Sequence, residues 1–188
     1  VITVLMVYED SRGRIWVYSE NQKLTMIDTD GKVKDFPYAS RAMCDDADHN
    51  LWLGTLGNGL IKLNPETNET TTYTVEQGLC NNIIYGIINV DNRYLWLSTI
   101  NGISRFDMQK KEFKNYFHND GLLNSQYNYG AYLKVSDGSL AFGGGKGVDF
   151  IYLDKLLENH FEPPIVFTDF RVFNEPVPLS PGRHEVNT

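Results

Sequence analysis

Cysteine is scarce in this sequence, with only Cys44 and Cys80 among 188 residues. No Cys-x-x-Cys pair and no Cys/His ligand spacing occurs, which excludes a zinc module and a disulfide-rich scaffold. Cys44 sits in an apolar run and reads as a buried thiol, with a disulfide as the alternative, so cysteine usage does not fix the compartment. Long hydrophobic runs are also missing: no stretch approaches the roughly 20 apolar residues of a membrane-spanning helix. Positive charge is sparse, since 17 Lys and Arg against 24 Asp and Glu give a net charge of -7. The one basic cluster is Lys110-Lys111. A nucleic-acid surface would need a basic stripe, and an acidic chain is a poor partner for polyanions. The first residues, Val1-Ile2-Thr3-Val4, include neither a Met nor the basic region of a signal peptide, and the expectation is a piece of a longer polypeptide.

Helical periodicity is wanting too, until Leu153, Leu156 and Leu157 space out one or two helical turns over 152–159. What is abundant is aromatic: 13% of residues, with 11 Tyr and 10 Phe beside 16 Gly. That composition favours strands and tight turns. The sequence also repeats itself. Ile15-Trp16-Val17, Leu51-Trp52-Leu53 and Leu95-Trp96-Leu97 share an apolar-Trp-apolar core, and Leu140-Ala141-Phe142 is a degenerate fourth copy. The spacings are 36, 44 and 45 residues from Trp16 to Trp52 to Trp96 to Ala141. Each core is preceded by a polar turn such as Asp45-Asp46-Ala47-Asp48-His49-Asn50. The later three copies are followed by a Gly-led strand, beginning Gly59-Leu60, Gly102-Ile103 and Gly147-Val148. Two copies close on Gly78-Leu79 and Gly121-Leu122.

Four short strands in about 40 residues are the period of a propeller blade. The fold class is therefore all-β, a partial β-propeller of about four four-stranded blades. The repeats run roughly 1–38, 39–79, 80–122 and 123–160, with 161–188 as a connection and the truncated start of a further β domain. A lone blade cannot bury both apolar faces, so Trp16, Trp52, Trp96 and Phe142 are expected to pack between blades. A four-blade fan would leave end faces bare, covered either by additional N-terminal blades or by self-association.

The run Asp-x-x-x-x-Leu-Trp-Leu-Gly-Thr, Gly-Leu and Gly-Leu-x-Asn resembles the regulator-propeller repeat of bacterial hybrid two-component systems. The segments Gly121-Leu122-Leu123-Asn124-Ser125-Gln126-Tyr127-Asn128-Tyr129-Gly130-Ala131 and Pro163-Pro164-Ile165-Val166-Phe167-Thr168-Asp169-Phe170 resemble that family's final blade and its exit into an immunoglobulin-like domain. Repeat 1 departs from the pattern, with Tyr18-Ser19 in place of Gly-Thr and no closing Gly-Leu. The resemblance implies a periplasmic sensor region of a membrane-anchored sensor histidine kinase. It also implies glycan signals, and control of carbohydrate-utilisation genes as the output. The kinase and receiver would lie outside this chain, so no catalytic residue, cofactor or metal is expected here. Pro163-Pro164 would stiffen the relay toward the membrane by fixing φ.

Other motifs have ordinary readings. Asp46-x-Asp48-x-Asn50 begins like a calcium loop but lacks the following Gly and the position-twelve Glu, and reads as a polar turn. Gly143-Gly144-Gly145-Lys146-Gly147 lacks the spacing of a phosphate loop and reads as a hairpin. Glu9-Asp10 and Asp45-Asp46 are acid/base pairs by composition but recur as turn residues. His49, His118, His160 and His184 share no ligand spacing. Ligand capture is placed instead on Asn81, Asn82, Asn124, Gln126, Tyr127, Asn128 and Tyr129, which follow the Gly-Leu closures. Rings stack on sugar C–H bonds and amides satisfy hydroxyls; the alternative is that these amides bridge neighbouring blades.

Overall fold

In the computed structural model the described residues are 3–21, 23–156 and the backbone of 171–172 and 175–176. The chain divides into two compact units, Val1–Leu156 and Leu157–Thr188. The first unit is built of antiparallel sheets whose strands follow sequence order. Blade 1 comprises β1 (Val4–Glu9), β2 (Ile15–Ser19), β3 (Leu24–Ile27) and β4 (Val33–Phe36). Blade 2 comprises β5 (Ser40–Asp45), β6 (Leu51–Thr55), β7 (Leu60–Leu63) and β8 (Thr70–Tyr73). Blade 3 comprises β9 (Ile84–Val90), β10 (Tyr94–Thr99), β11 (Ile103–Asp107) and β12 (Glu112–Tyr116). Blade 4 shows β13 (Tyr127–Lys134), β14 (Leu140–Gly144) and β15 (Gly147–Ile151), three strands among the described residues.

The helical pattern over 152–159 is realised as a short 3-10 turn, Leu153–Lys155; residues 157–159 lie outside the described set. The second unit contributes a two-stranded pairing of β16 (Arg171–Val172) with β17 (Glu175–Pro176). Pro163-Pro164, His160 and His184 lie outside the described residues.

Local chemistry dictates the blades. Each β-strand alternates its side chains between two faces, and in blades 2 and 3 both faces are apolar because each meets a neighbour. Trp16, Leu24, Met26 and Phe36 of blade 1 pack on Met43, Leu51, Leu53, Ile61 and Leu63 of blade 2. Trp52, Leu60 and Tyr73 of blade 2 pack on Ile87, Leu95, Leu97 and Phe106 of blade 3. Trp96 and Ile103 of blade 3 pack on Tyr127, Leu140, Phe142 and Ile151 of blade 4. Every tryptophan thus lies on the face turned to the following blade, and Trp16, Trp52, Trp96 and Phe142 are all buried.

Turns are held by a repeated device. Asp10 Oδ1 accepts the backbone N–H groups of Arg12 and Arg14, both at 3.0 Å, while Oδ2 accepts Trp16 Nε1 at 2.8 Å. Asp46 repeats this, accepting Asp48 N at 3.0 Å, Asn50 N at 2.9 Å and Trp52 Nε1 at 2.9 Å. The same carboxylate therefore orders the β-turn and fills the one polar valence of the buried indole. Gly59 is required at the next turn: its φ is +74°, and a Cβ there would collide with the Tyr73 carbonyl.

Candidate functional site

Between sheets, the strands that approach one another are the first of each blade: β1 meets β5, β5 meets β9, and β9 meets β13. These are the inner strands, as in a propeller. All four break register near their starts, between Val4 and Met6, between Ser40 and Ala42, between Ile84 and Gly86, and between Tyr127 and Tyr132. The residues left without a partner are Leu5, Arg41, Tyr85 and the segment 128–131. A bulge re-aims the side chain it carries.

The re-aimed side chains converge from three blades. Arg41 Cζ lies 5.0 Å from the centre of the Tyr129 ring, and Tyr85 meets Tyr129 at 6.2 Å in a perpendicular arrangement. Arg41 and Tyr85 are half-buried, and Tyr129 is 38% exposed. Burial pushes the Tyr129 phenol above its ordinary range against the opposing pull of the Arg41 cation.

The other sequence-predicted site residues divide by burial. Asn124 and Tyr127 are buried, and their polar atoms are engaged within blade 4. Asn124 Nδ2 donates to Asp149 Oδ2 at 2.8 Å and to the Gly147 carbonyl at 3.1 Å, while its Oδ1 accepts Lys146 N at 2.8 Å. Tyr127 donates its hydroxyl to Asp149 Oδ2 at 2.8 Å. Asn82 ties blade 2 to blade 3: its carbonyl accepts Gly57 N at 3.1 Å and Gly59 N at 3.0 Å, and its Oδ1 accepts Val75 N at 2.9 Å. Asn81 Oδ1 caps the entry to β9 by accepting Ile83 N at 2.8 Å. Gln126 and Asn128 are exposed beside Tyr129. Arg41 and Tyr85 escaped sequence reasoning. The only trace is a residue interrupting strand alternation in Ser40-Arg41-Ala42 and Ile84-Tyr85-Gly86.

At the opposite ends of the inner strands lies a depression of about 610 Å³, lined by Tyr8, Ser11, Asp45, His49, Asn89 and Lys134 among others. Its polar groups are largely spent on one another. Asp45 accepts the Tyr8 hydroxyl at 2.5 Å and Ser11 N at 2.9 Å, joining blades 1 and 2. Ser11 Oγ lies 3.0 Å from His49 Nδ1, and Asn89 Nδ2 donates to the Asp45 carbonyl at 2.8 Å. Partial burial works to raise the Asp45 carboxyl, but the Ser11 and Tyr8 bonds outweigh it and hold the group below the usual carboxylate range. Burial, followed by the bond to Asp45, pushes the Tyr8 phenol upward. Cys44 and Cys80 are free thiols, and burial raises the former, with Asp45 and Asp46 adding to the shift. Among the described residues no group of three or more His, Cys, Asp or Glu is placed to hold a metal.

No protein-family model matches the chain. The chain is 27% identical over 189 residues to histidine kinase P4 of Formosa agariphila, an alignment covering 94% of this chain and 14% of that protein. Among solved structures it matches the extracellular domain of a hybrid two-component system of B. thetaiotaomicron, with a TM-score of 0.77 and 24% identity over 95% of this chain and 26% of the other. A second such extracellular domain from B. thetaiotaomicron gives a TM-score of 0.68 at 18% identity, covering 81% of this chain and 23% of the other. Virginiamycin B lyase of Staphylococcus aureus shares the fold at a TM-score of 0.60 and 16% identity, over 79% of this chain and 55% of the other. The chain therefore spans about a seventh of the kinase and about a quarter of the first extracellular domain it matches.

Proposed function

We propose that this chain is part of the extracytoplasmic sensing region of a hybrid two-component regulator, binding a glycan without transforming it. The observation that carries this reading is similarity to a histidine kinase along 94% of the chain. The fold likeness over 95% of the chain to an extracellular domain of a hybrid two-component system supports it. No helix among the described residues is long and apolar enough to cross a membrane, and the anchor and kinase would belong to other parts of the protein. A bound glycan shifts the blades' arrangement only if it binds two arrangements with different affinity. The output of that shift would be transcription of carbohydrate-utilisation genes. Titration calorimetry of the intact extracellular region against a broad oligosaccharide panel should register binding; silence across the panel would remove direct glycan sensing.

The bare sheet faces bear on partners. Blade 1 leaves Val7 and Val33 exposed on one side, and blade 4 leaves Leu133, Val148 and Phe150 exposed on another. Cross-strand partners share a face, so Leu133, Ala141 and Phe150 form one apolar row. Further blades of the same polypeptide cover both faces in this reading, since the matched extracellular domain is about four times as long as the segment aligned.

A further inference from the structure

The inner strands carry a charge for which the fold has no use. Arg12, Arg14 and Arg93 each meet a carboxylate. Arg41 meets none among the described residues, and its Nε is buried with no hydrogen-bond partner. An enclosed Nε–H without an acceptor is costly, and the bulge that delivers it costs a ladder pairing as well. What surrounds the guanidinium is aromatic: Tyr129 beneath it at 5.0 Å and Tyr85 perpendicular to Tyr129 at 6.2 Å. The guanidinium is a planar fork suited to two oxygens of an anion. The paired rings offer apolar surface to sugar C–H bonds, and the exposed amides of Gln126 and Asn128 stand next to Tyr129 in the chain.

We propose that Arg41, Tyr85 and Tyr129 form a subsite for an acidic sugar unit, with the guanidinium pairing a carboxylate or sulfate oxygen pair and the tyrosines packing on the ring. The subsite lies on three different blades, so one bound unit links β5, β9 and β13. This deepens the glycan-sensing reading and rests on it. Three named side chains on three strands then give the ligand leverage over blade geometry. The depression at the opposite strand ends offers no comparable unpaired cation, because Lys134 there already meets Asp91 at 3.7 Å.

The test is titration of the full chain with uronate-containing, sulfated and neutral oligosaccharides of matched length. Acidic ligands should bind at least about tenfold more tightly than neutral ones, the size of a charge-assisted hydrogen bond. Arg41→Met should erase that preference with a thermal midpoint no lower than the parent's, Arg41→Lys should restore part of it, and Tyr129→Ala should weaken acidic and neutral ligands alike. Preference for uronate over sulfate, or the reverse, identifies the anion. Equal binding of acidic and neutral ligands, or full acidic affinity in Arg41→Met, overturns the subsite while glycan sensing stands. Absence of binding by all three classes overturns both.

Discussion

A single carboxylate does most of the organising at the β1–β2 and β5–β6 turns. Asp10 and Asp46 serve the tryptophan of their own blade, and Asp10 additionally holds buried Arg14 at 2.7 Å. Blade 4 has no tryptophan and uses a different arrangement, in which Asp149 gathers Leu123 N at 2.6 Å, Asn124 and the Tyr127 hydroxyl. Burial alone would raise the Asp149 carboxyl, but the Leu123, Asn124 and Tyr127 bonds prevail and hold it below its ordinary value. A carboxylate depressed on folding adds stability that is complete above its unfolded value of about 4. That contribution is lost as pH falls through the folded value. Replacing Asp149→Ala should therefore cost about 2 kcal/mol at neutral pH. Denaturant melts should show the gap between variant and parent closing as pH drops below that unfolded value; a gap independent of pH would assign the loss to packing alone.

Individual strands are constrained by how closely the blades approach. Gly86 of β9 faces β13, and a Cβ there would come within 2.4 Å of the Tyr132 ring and 2.6 Å of Ser98 Oγ. No small rotation relieves both contacts, since Ser98 is fully buried in β10, the strand paired with β9. Gly86→Ala should lower stability by about 1–3 kcal/mol through overpacking. Gly145, in the β14–β15 turn with nothing within 4 Å, provides the neutral control as Gly145→Ala. Thermal unfolding of the two variants side by side checks the claim, and matching midpoints would refute it. The inner-strand bulges belong to the same scale. They spare Arg41, Tyr85 and Tyr129 from the blade interfaces that consume the flanking side chains, such as Ala42, Ile84 and Tyr127.

The first unit is a row of blades whose two end faces are bare among the described residues. Interior blades have neighbours on both sides, whereas Val7 is 62% exposed on the first and Phe150 53% exposed on the last. Exposed apolar faces of that kind drive association in water. This chain by itself should sediment as an oligomer, and Leu133→Lys with Phe150→Lys should shift it toward monomer. A longer polypeptide carrying additional blades should stay monomeric without substitutions. Monomeric behaviour of the unmodified short chain at high concentration would contradict the account of the bare faces.

Residue order alone settled the all-β repeat. Trp16, Trp52 and Trp96 recur between Asp-rich turns and Gly-led strands, and those signals are local: alternation, turn chemistry and period act within one blade. The blade-to-blade role of the tryptophans followed, because a two-faced apolar sheet has nowhere else to bury them. Tertiary structure decided which amides are free. Asn124 and Asn128 look alike in sequence, yet one is buried against Asp149 and the other is exposed. It also decided that Arg41, Tyr85 and Tyr129 meet, 44 residues apart at each step. Their meeting depends on register slips in three strands and on the stacking of three sheets, and neither a slip nor a stacking distance is written in any one segment of chain.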